Sequence, residues 1–318
     1  MKRKIASLMA SVLIVSALLT GCNTSEVNLT FDAGGTTGTY YPVGGVMATV
    51  LNDKMDTCDL TVVSSGASKT NIIDIEDGEA ELAIVQNDVM YYAANGTDLF
   101  AEDGVFDSFS AVANIYAETC QIICTTEINS VEDLVGKTIN VGDAGSGVEF
   151  NATQILAAYG IDINTDITKV NGSFSDAADS LKDGKIDAAF VTAGAPTTAV
   201  VELALTKDVK LLSIDDAHAD QLIADYPFYT KTIVPADTYN GISEDIQTVS
   251  VSAALIIANS VSEDVAYDLT KAMFENLSSL QDGHAKFLEL SLESAVEGVP
   301  TAFHPGALKY YQEVGVLG

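Results

Sequence analysis

The chain has 318 residues, with 15 basic and 45 acidic side chains and a formal net charge of −30 at pH 7. A surface this acidic is repelled by the phosphates of nucleic acids and by anionic lipids, which excludes both as expected partners. A chain of this length is long enough to form two lobes of ordinary domain size.

The first 22 residues have the order of a lipoprotein signal peptide. Residues 2–4 are basic, residues 5–20 are uncharged and mostly apolar, and residues 19–22 form a lipobox ending at Cys22. The apolar run is shorter than the ~20 residues of a membrane span. We therefore expect residues 1–21 to be removed and Cys22 to be acylated. The mature protein is then extracytoplasmic and reaches the membrane only through its lipid. A plain secretory signal with a chance cysteine is the alternative.

Removal of the signal peptide makes the chain more acidic still. Loss of Lys2, Arg3 and Lys4 leaves 12 basic against 45 acidic residues, a formal charge of −33. Arg3 is the one arginine of the sequence, so the mature chain lacks the usual bidentate clamp for a carboxylate or phosphate. Any local positive charge must come from lysines, bound cations or helix N-termini.

Strand–loop–helix units follow one another along the chain. The first predicted strand, residues 27–31, leads through a loop rich in glycine and hydroxyl groups into a helix with Pro42 in its first turn. Strands alternating with helices predict an α/β fold with mostly parallel sheets. Ligands bind such sheets beyond the carboxyl ends of the strands. The candidate loops at those ends are residues 34–41, 64–68, 86–88, 143–147 and 194–196.

Two long apolar runs without helical period, residues 111–126 and 248–258, separate two series of these units. The segment 77–85 resembles the segment 183–191, which suggests two similar lobes. We interpret the long runs as strands that cross between the lobes, so that the second lobe is an insertion in the first. The predicted boundaries are 27–115 and 248–318 for lobe I and 116–247 for lobe II.

Signatures of catalysis and of metal binding are incomplete in this sequence. Val131 occupies the place of the first P-loop glycine, and Ser146 lacks the flanking pattern of a nucleophile elbow. The three histidines lie apart, and no cysteine–histidine spacing suggests zinc. Cys120 and Cys124 are ~13 Å apart on one predicted strand, too far for a disulfide, and are expected to be small buried groups. We expect no enzyme activity, cofactor or metal.

The loops, taken in order, resemble the TAXI family, the solute-binding proteins of tripartite ATP-independent periplasmic (TRAP) transporters. The likeness covers nearly the whole mature chain. Asn87 stands where the family more often has serine, and Asp143-Ala144 replaces a more neutral pair. The likeness rests on Gly35-Thr36-Thr37-Gly38-Thr39-Tyr40-Tyr41-Pro42, Ser65-Gly66-Ala67-Ser68 with Asn71, Gln86-Asn87-Asp88, Gly145-Ser146-Gly147, Gly194-Ala195-Pro196, Tyr226-Pro227-Phe228-Tyr229 and Phe303-His304-Pro305-Gly306.

The resemblance implies a two-lobed periplasmic-binding-protein fold, type II-like, with a hinge between the lobes. It implies a small carboxylate ligand such as glutamate or glutamine. It also implies delivery to membrane permease subunits driven by an ion gradient. Two alternatives stay open, a sensory binding protein that docks on a receptor and an enzyme on the same fold.

The candidate ligand-binding residues lie in the predicted loops. Without arginine, we expect a carboxylate to be held by backbone N–H groups and hydroxyls at helix N-termini, the positive ends of helix dipoles. Lys69, at one loop–helix junction, is expected to matter much less. The principal donors would be Thr36, Thr37 and Gly38 from one lobe and Ser146 and Gly147 from the other. The remaining candidates are Tyr40, Tyr41, Ser65, Ser68, Gln86, Asn87, Gly194 and Pro196.

The predicted lipid anchor can be tested directly. Mass spectrometry of the exported protein should find Cys22 as the N-terminal residue, carrying acyl chains. A free amine at any other residue would reject the lipobox interpretation.

Overall fold

The computed structural model describes residues 27–318, so Cys22 and the predicted signal peptide lie outside the described residues. The first elements are β1 (Val27–Asp32), α1 (Tyr40–Leu51), β2 (Cys58–Val63), α2 (Ser68–Glu76), β3 (Leu82–Gln86) and α3 (Asn87–Asn95). Strand β1 lies between β2 and β3 and runs parallel to both.

The chain continues through a long strand into a second series of elements. These are β4 (Phe109–Thr125), β5 (Thr138–Asn140), α4 (Gly147–Ala158), β6 (Thr168–Val170), α5 (Phe174–Lys182), β7 (Ala188–Ala193), α6 (Thr198–Ala204), β8 (Val209–Leu212), α7 (Asp216–Asp225) and β9 (Thr230–Val234). A second long strand, β10 (Ile246–Ala258), precedes the last helices. They are α8 (Glu263–Glu275), α9 (Leu277–Gly283), α10 (Leu292–Val296) and α11 (Pro305–Glu313).

The two long strands join the two parts of the sheet. They run antiparallel to each other, and the strand order is β2-β1-β3-β10-β4-β7-β5-β6. Residues 253–257 of β10 pair with β3, whereas residues 119–124 of β4 pair with β7. The outer pairs are parallel, and the pairs around β4 and β10 are antiparallel. The long apolar runs of the sequence are these joining strands, while the exact lobe boundaries stay a prediction.

Helices cover both faces of the sheet, because alternate side chains of each strand point to opposite faces. In β3, Leu82 and Ile84 pack in a cluster with residues of α1, α8 and α11. Ala83 and Val85 pack in another cluster with residues of α2 and α3. Burial on both faces explains why a strand such as β3 has a continuous apolar sequence.

The cysteines of the described residues also lie in the core. Cys58, Cys120 and Cys124 are buried and have free thiols. Burial raises the pKa of Cys120 to about 12, so it stays a neutral thiol at ordinary pH. The expectation that Cys120 and Cys124 are small buried groups is confirmed.

The contact of α11 with α8 gives a stability prediction. Gly306 lies in the first turn of α11, and a Cβ there would overlap the carbonyl oxygen of Glu263 and the backbone nitrogen of Tyr267. We expect Gly306→Ala to lower the free energy of unfolding by about 1–3 kcal/mol because two backbones are forced apart. Gly45, inside α1, has open space around it. Gly45→Ala should therefore raise the free energy of unfolding by roughly 0.5–1 kcal/mol. Urea denaturation measures both, and equal midpoints would contradict the packing argument.

Candidate functional site

The loops that follow β1, β2 and β5 and the last residues of β3 and β7 meet at the carboxyl ends of those strands. They surround an inner cavity of about 50 Å³. Elements from both parts of the sheet contribute to its wall. The lining residues are Gly34, Gly35, Gly38, Thr39, Tyr40, Ala67, Ser68, Gln86, Glu118, Gly147, Val148, Phe174, Thr192 and Ala193.

An outer cavity of about 290 Å³ adjoins the inner one. The two share Gly35, Gly38, Ala67, Val148 and Phe174 in their walls. Phe174 is the first residue of α5, and its ring lies close to Gly38. Phe174 therefore lies at the boundary between the inner and the outer cavity. Five of the sequence-predicted residues line the outer cavity, namely Thr36, Thr37, Gly38, Ser65 and Ser146.

Three helices begin at the wall of the inner cavity. Helices α1, α2 and α4 start at Tyr40, Ser68 and Gly147, which all line it. Within the part of the chain that the structure describes, neither α1 nor α2 has a side-chain cap, whereas Ser146 Oγ accepts the Glu149 N–H of α4 at 3.2 Å. Uncapped first-turn N–H groups and the helix dipoles make this end of the sheet locally positive. The geometry suits an anion in the space between them.

One carboxyl group faces these helix ends. Glu118 of β4 is 2% exposed and lines the inner cavity. The Tyr40 hydroxyl donates to Glu118 Oε2 at 2.6 Å and lies 3.4 Å from Ser68 Oγ. Burial raises the pKa of Glu118 to about 8 and that of Tyr40 well above its usual range. Sequence reasoning missed Glu118, although it is the one charged residue of the 17-residue strand β4.

Hydrogen bonds connect the two sides of the cavity. Gln86 Nε2 donates to Asn151 Oδ1 at 2.6 Å, and Asn151 Nδ2 donates to Asp88 Oδ2 at 3.0 Å and to the Tyr229 hydroxyl at 2.8 Å. Burial raises the pKa of Asp88 to about 6. A Cβ at Gly147 would overlap the Gln86 amide oxygen, so glycine allows this close approach. Helix α4 is therefore held directly against β3 and α3.

The nearest lysines have their own partners. Lys69 Nζ pairs with Asp103 Oδ2 at 2.6 Å and also donates to the Leu99 carbonyl at 3.0 Å. Its ammonium group is therefore directed towards Asp103 and Leu99. Lys286, which sequence reasoning missed, lies beside Gly194, and its Nζ pairs with Glu289 at 2.7 Å. Neither residue lines the inner or the outer cavity.

The structure brings together only part of the predicted set. Gly38, Tyr40, Ser68, Gln86 and Gly147 line the inner cavity. Thr36, Thr37, Ser65 and Ser146 line the adjoining outer cavity, and the remaining predicted residues lie elsewhere. Asn87 lines a separate cavity of about 440 Å³, and its side-chain oxygen accepts the Ser252 N–H at 3.0 Å. Tyr41 packs on the core, the Gly194 carbonyl accepts from Thr39 Oγ1 at 3.0 Å, and Pro196 is exposed.

Within residues 27–318, no group of three histidine, cysteine or acidic side chains is arranged to hold a metal ion. In the same part of the chain, no helix is both long enough and apolar enough to cross a membrane.

Comparison with known proteins defines the family. The model of the NMT1-like family matches residues 31–315. The chain belongs to the NMT1-like family. The family and its fold support a solute-binding protein.

Solved structures share the fold at low sequence identity. The binding protein component of an ABC phosphonate transporter from Pseudomonas aeruginosa is 13% identical, with a TM-score of 0.52 over 84% of this chain and 80% of that one. The ligand-binding component of an ABC-type import system from Staphylococcus aureus, with zinc bound, is 12% identical, with a TM-score of 0.52 over 84% and 81%. A protein of Bordetella bronchiseptica RB50 is 14% identical, with a TM-score of 0.54 over 91% and 82%. The predicted two-lobed α/β fold is confirmed. Two of these names specify ABC-type systems, so the TRAP type of transporter stays a prediction.

Backbone strain at the cavity gives a second stability prediction. Ala67, which lines both cavities, has φ 66° and ψ −157°, a region that nearly always belongs to glycine. We expect Ala67→Gly to raise the free energy of unfolding by about 1 kcal/mol through relief of this strain. Ala48→Gly, inside α1, should lower it by about 1 kcal/mol. Thermal unfolding measures both, and equal losses in the two variants would show that Ala67 is unstrained.

Proposed function

We propose that this protein is an extracytoplasmic solute-binding lipoprotein of a TAXI-type TRAP transporter. It captures a small carboxylate, such as glutamate or glutamine, between two lobes and delivers it to membrane permease subunits. The observation that carries the ligand class is the convergence of the N-termini of α1, α2 and α4 on one cavity. The loop sequences that resemble the TAXI family support the transporter type.

Because the protein is strongly acidic, an anion needs a site with a locally positive potential, which the converging helix N-termini provide. A mature chain with 12 basic and 45 acidic residues repels anions at long range. A helix N-terminus offers roughly half a positive charge, and its N–H groups are already oriented. Two or three such ends around one cavity replace the arginine that the mature chain does not have. Lys69 is unsuited to this role because its ammonium group is bound to Asp103 and Leu99.

The strand connections support capture by closure of two lobes. Among the strands of residues 27–318, only β4 and β10 run through both parts of the sheet, so bending of these strands would open the space between α4 and β3. In the proposal, ligand binding favours the closed form, which a permease then distinguishes from the open form.

The helix-end mechanism is tested by two serine N-caps of similar geometry. Ser146 caps α4 at the outer cavity, and Ser262 caps α8 by accepting the Val265 N–H at 3.3 Å. Each Ser→Ala change should cost about 1 kcal/mol of stability through the lost cap. A hydrogen bond to a charged group contributes roughly 1.5–3 kcal/mol. For a ligand that extends from the inner into the outer cavity, only Ser146→Ala should therefore also weaken binding, by about 10- to 100-fold.

Calorimetry with glutamate, glutamine, 2-oxoglutarate and succinate measures the affinities. Lys69→Met should bind within a few-fold of the wild type. If Lys69→Met abolished binding while Ser146→Ala left it intact, a lysine clamp would replace the helix-end mechanism. If none of the four compounds bound, the proposed ligand class would be wrong.

A further inference from the structure

Glu118 has a free carboxyl oxygen at the inner cavity. Its side chain is buried in the middle of the joining strand β4 and lines the cavity wall. Within residues 27–318, the Tyr40 hydroxyl is the one hydrogen-bond donor to this carboxyl group, and it occupies Oε2. The other oxygen is therefore available to a bound molecule.

The charges around Glu118 do not compensate an ionised carboxylate. Asp88, from α3, repels it, and Tyr116, two residues earlier on β4, is a neutral phenol. Cys120 on the same strand is a neutral thiol. Lys286 attracts the carboxylate, but its ammonium group pairs with Glu289 at 2.7 Å. A buried carboxylate without a cation in contact favours its protonated form.

The same cavity is where the proposed anion would bind. The N-termini of α1, α2 and α4 line it together with Glu118, and a space of about 50 Å³ keeps any occupant close to the carboxyl group. Two carboxylates in such a space cannot both be ionised without a large cost, so one of them takes up a proton. The helix ends favour the charge on the ligand, which leaves the proton on Glu118.

We propose that Glu118 binds the ligand as a carboxylic acid, donating its O–H to the anionic ligand, so that capture is coupled to proton uptake whenever the carboxyl is ionised in the ligand-free protein. This inference rests on the proposed function. The proton comes from solvent and adds to the free carboxyl oxygen, and no covalent bond to the ligand forms. Glu118 is then a ligand-binding and specificity-determining residue, since its O–H favours an anion over a cationic group.

The direction of the pH dependence follows from the acid form. Below the pKa of Glu118 in the ligand-free protein, the proton is already present and affinity is at its maximum. As pH rises through this pKa, which burial brings to about 8, binding must first protonate the carboxylate. Affinity should then fall up to tenfold per pH unit, and close to one proton should be taken up per ligand.

Calorimetry of the full mature protein between pH 6 and pH 9 tests this coupling. The probes are 2-oxoglutarate, which has no ammonium group, and glutamate, which has one. Repeating each titration in buffers of different ionisation enthalpy gives the number of protons taken up. We expect a value near zero at pH 6 that rises towards one at pH 9.

Substitution assigns the proton to Glu118. Glu118→Gln keeps a donor in place of the acid, so its affinity should be independent of pH and about tenfold higher than that of the wild type at pH 9. Tyr40→Phe removes the donor that favours the ionised form and should shift the midpoint to higher pH. Glu81→Gln, whose carboxylate accepts the Thr30 N–H away from both cavities, should keep the wild-type profile.

The outcomes separate this inference from the proposed function. Binding without proton uptake at pH 9, or a pH dependence that persists in Glu118→Gln, would overturn the inference and leave the proposed function standing. Loss of glutamate binding in Glu118→Gln at every pH would mean that an ionised Glu118 pairs with the ligand ammonium, which also overturns it. Failure of the wild type to bind either probe would overturn both.

Discussion

Strand β4 is the element on which the rest of the structure depends. Its first part pairs with β10 beside the parallel strands of the first series, and its last part pairs with β7 and β8. The cavity lies where these two parts meet, and Glu118 is located at that point of the strand. Strand β4 thus helps β10 to join the halves of the sheet and also carries a polar group into the space between them. Any bending of β4 moves Glu118 relative to at least one of the helix ends.

The surface and the cavity of the protein differ in their electrostatic potential. The surface carries the large excess of acidic groups, which water and salt screen effectively. Glu118, Tyr40 and Ser68 are buried at the cavity, so oriented N–H groups and the Glu118 carboxyl have stronger effects there than they would at the surface. Local positive potential from helix ends can therefore exist within a strongly negative protein. The paired lysines add little to it, because Asp103 and Glu289 neutralise Lys69 and Lys286.

The sequence predicts much of the fold because the relevant signals are local. Apolar residues at helical spacing identify α1, and the long, mostly apolar runs without helical period identify β4 and β10. The candidate loops were placed correctly at strand ends, since a strand that is followed by glycine and hydroxyl residues ends there.

The details of the site could not be obtained in this way because they depend on distant contacts. Tyr40 and Glu118 are 78 positions apart in sequence, and only the folded sheet brings them to hydrogen-bond distance. Phe174 follows an ordinary serine cap, and nothing in its neighbourhood in the sequence marks it as a cavity residue. Conversely, Asn87 and Pro196 belong to the right loops but point to other surroundings. A loop can be assigned to a site from its position after a strand, whereas the orientation of each of its side chains requires the tertiary structure.

Closure of the site is a property of the protein as well as of its ligand. Gln86 donates to Asn151, and Thr39 donates to the Gly194 carbonyl, so the two sides of the cavity form hydrogen bonds to each other. These direct bonds stabilise the closed arrangement independently of any ligand contact. A ligand can shift the equilibrium only by the difference in its affinity for the two forms. A stronger Gln86–Asn151 contact therefore reduces the difference in ligand affinity that is needed to favour the closed form. The protonation state of Glu118 determines how large a difference in affinity an anion can supply.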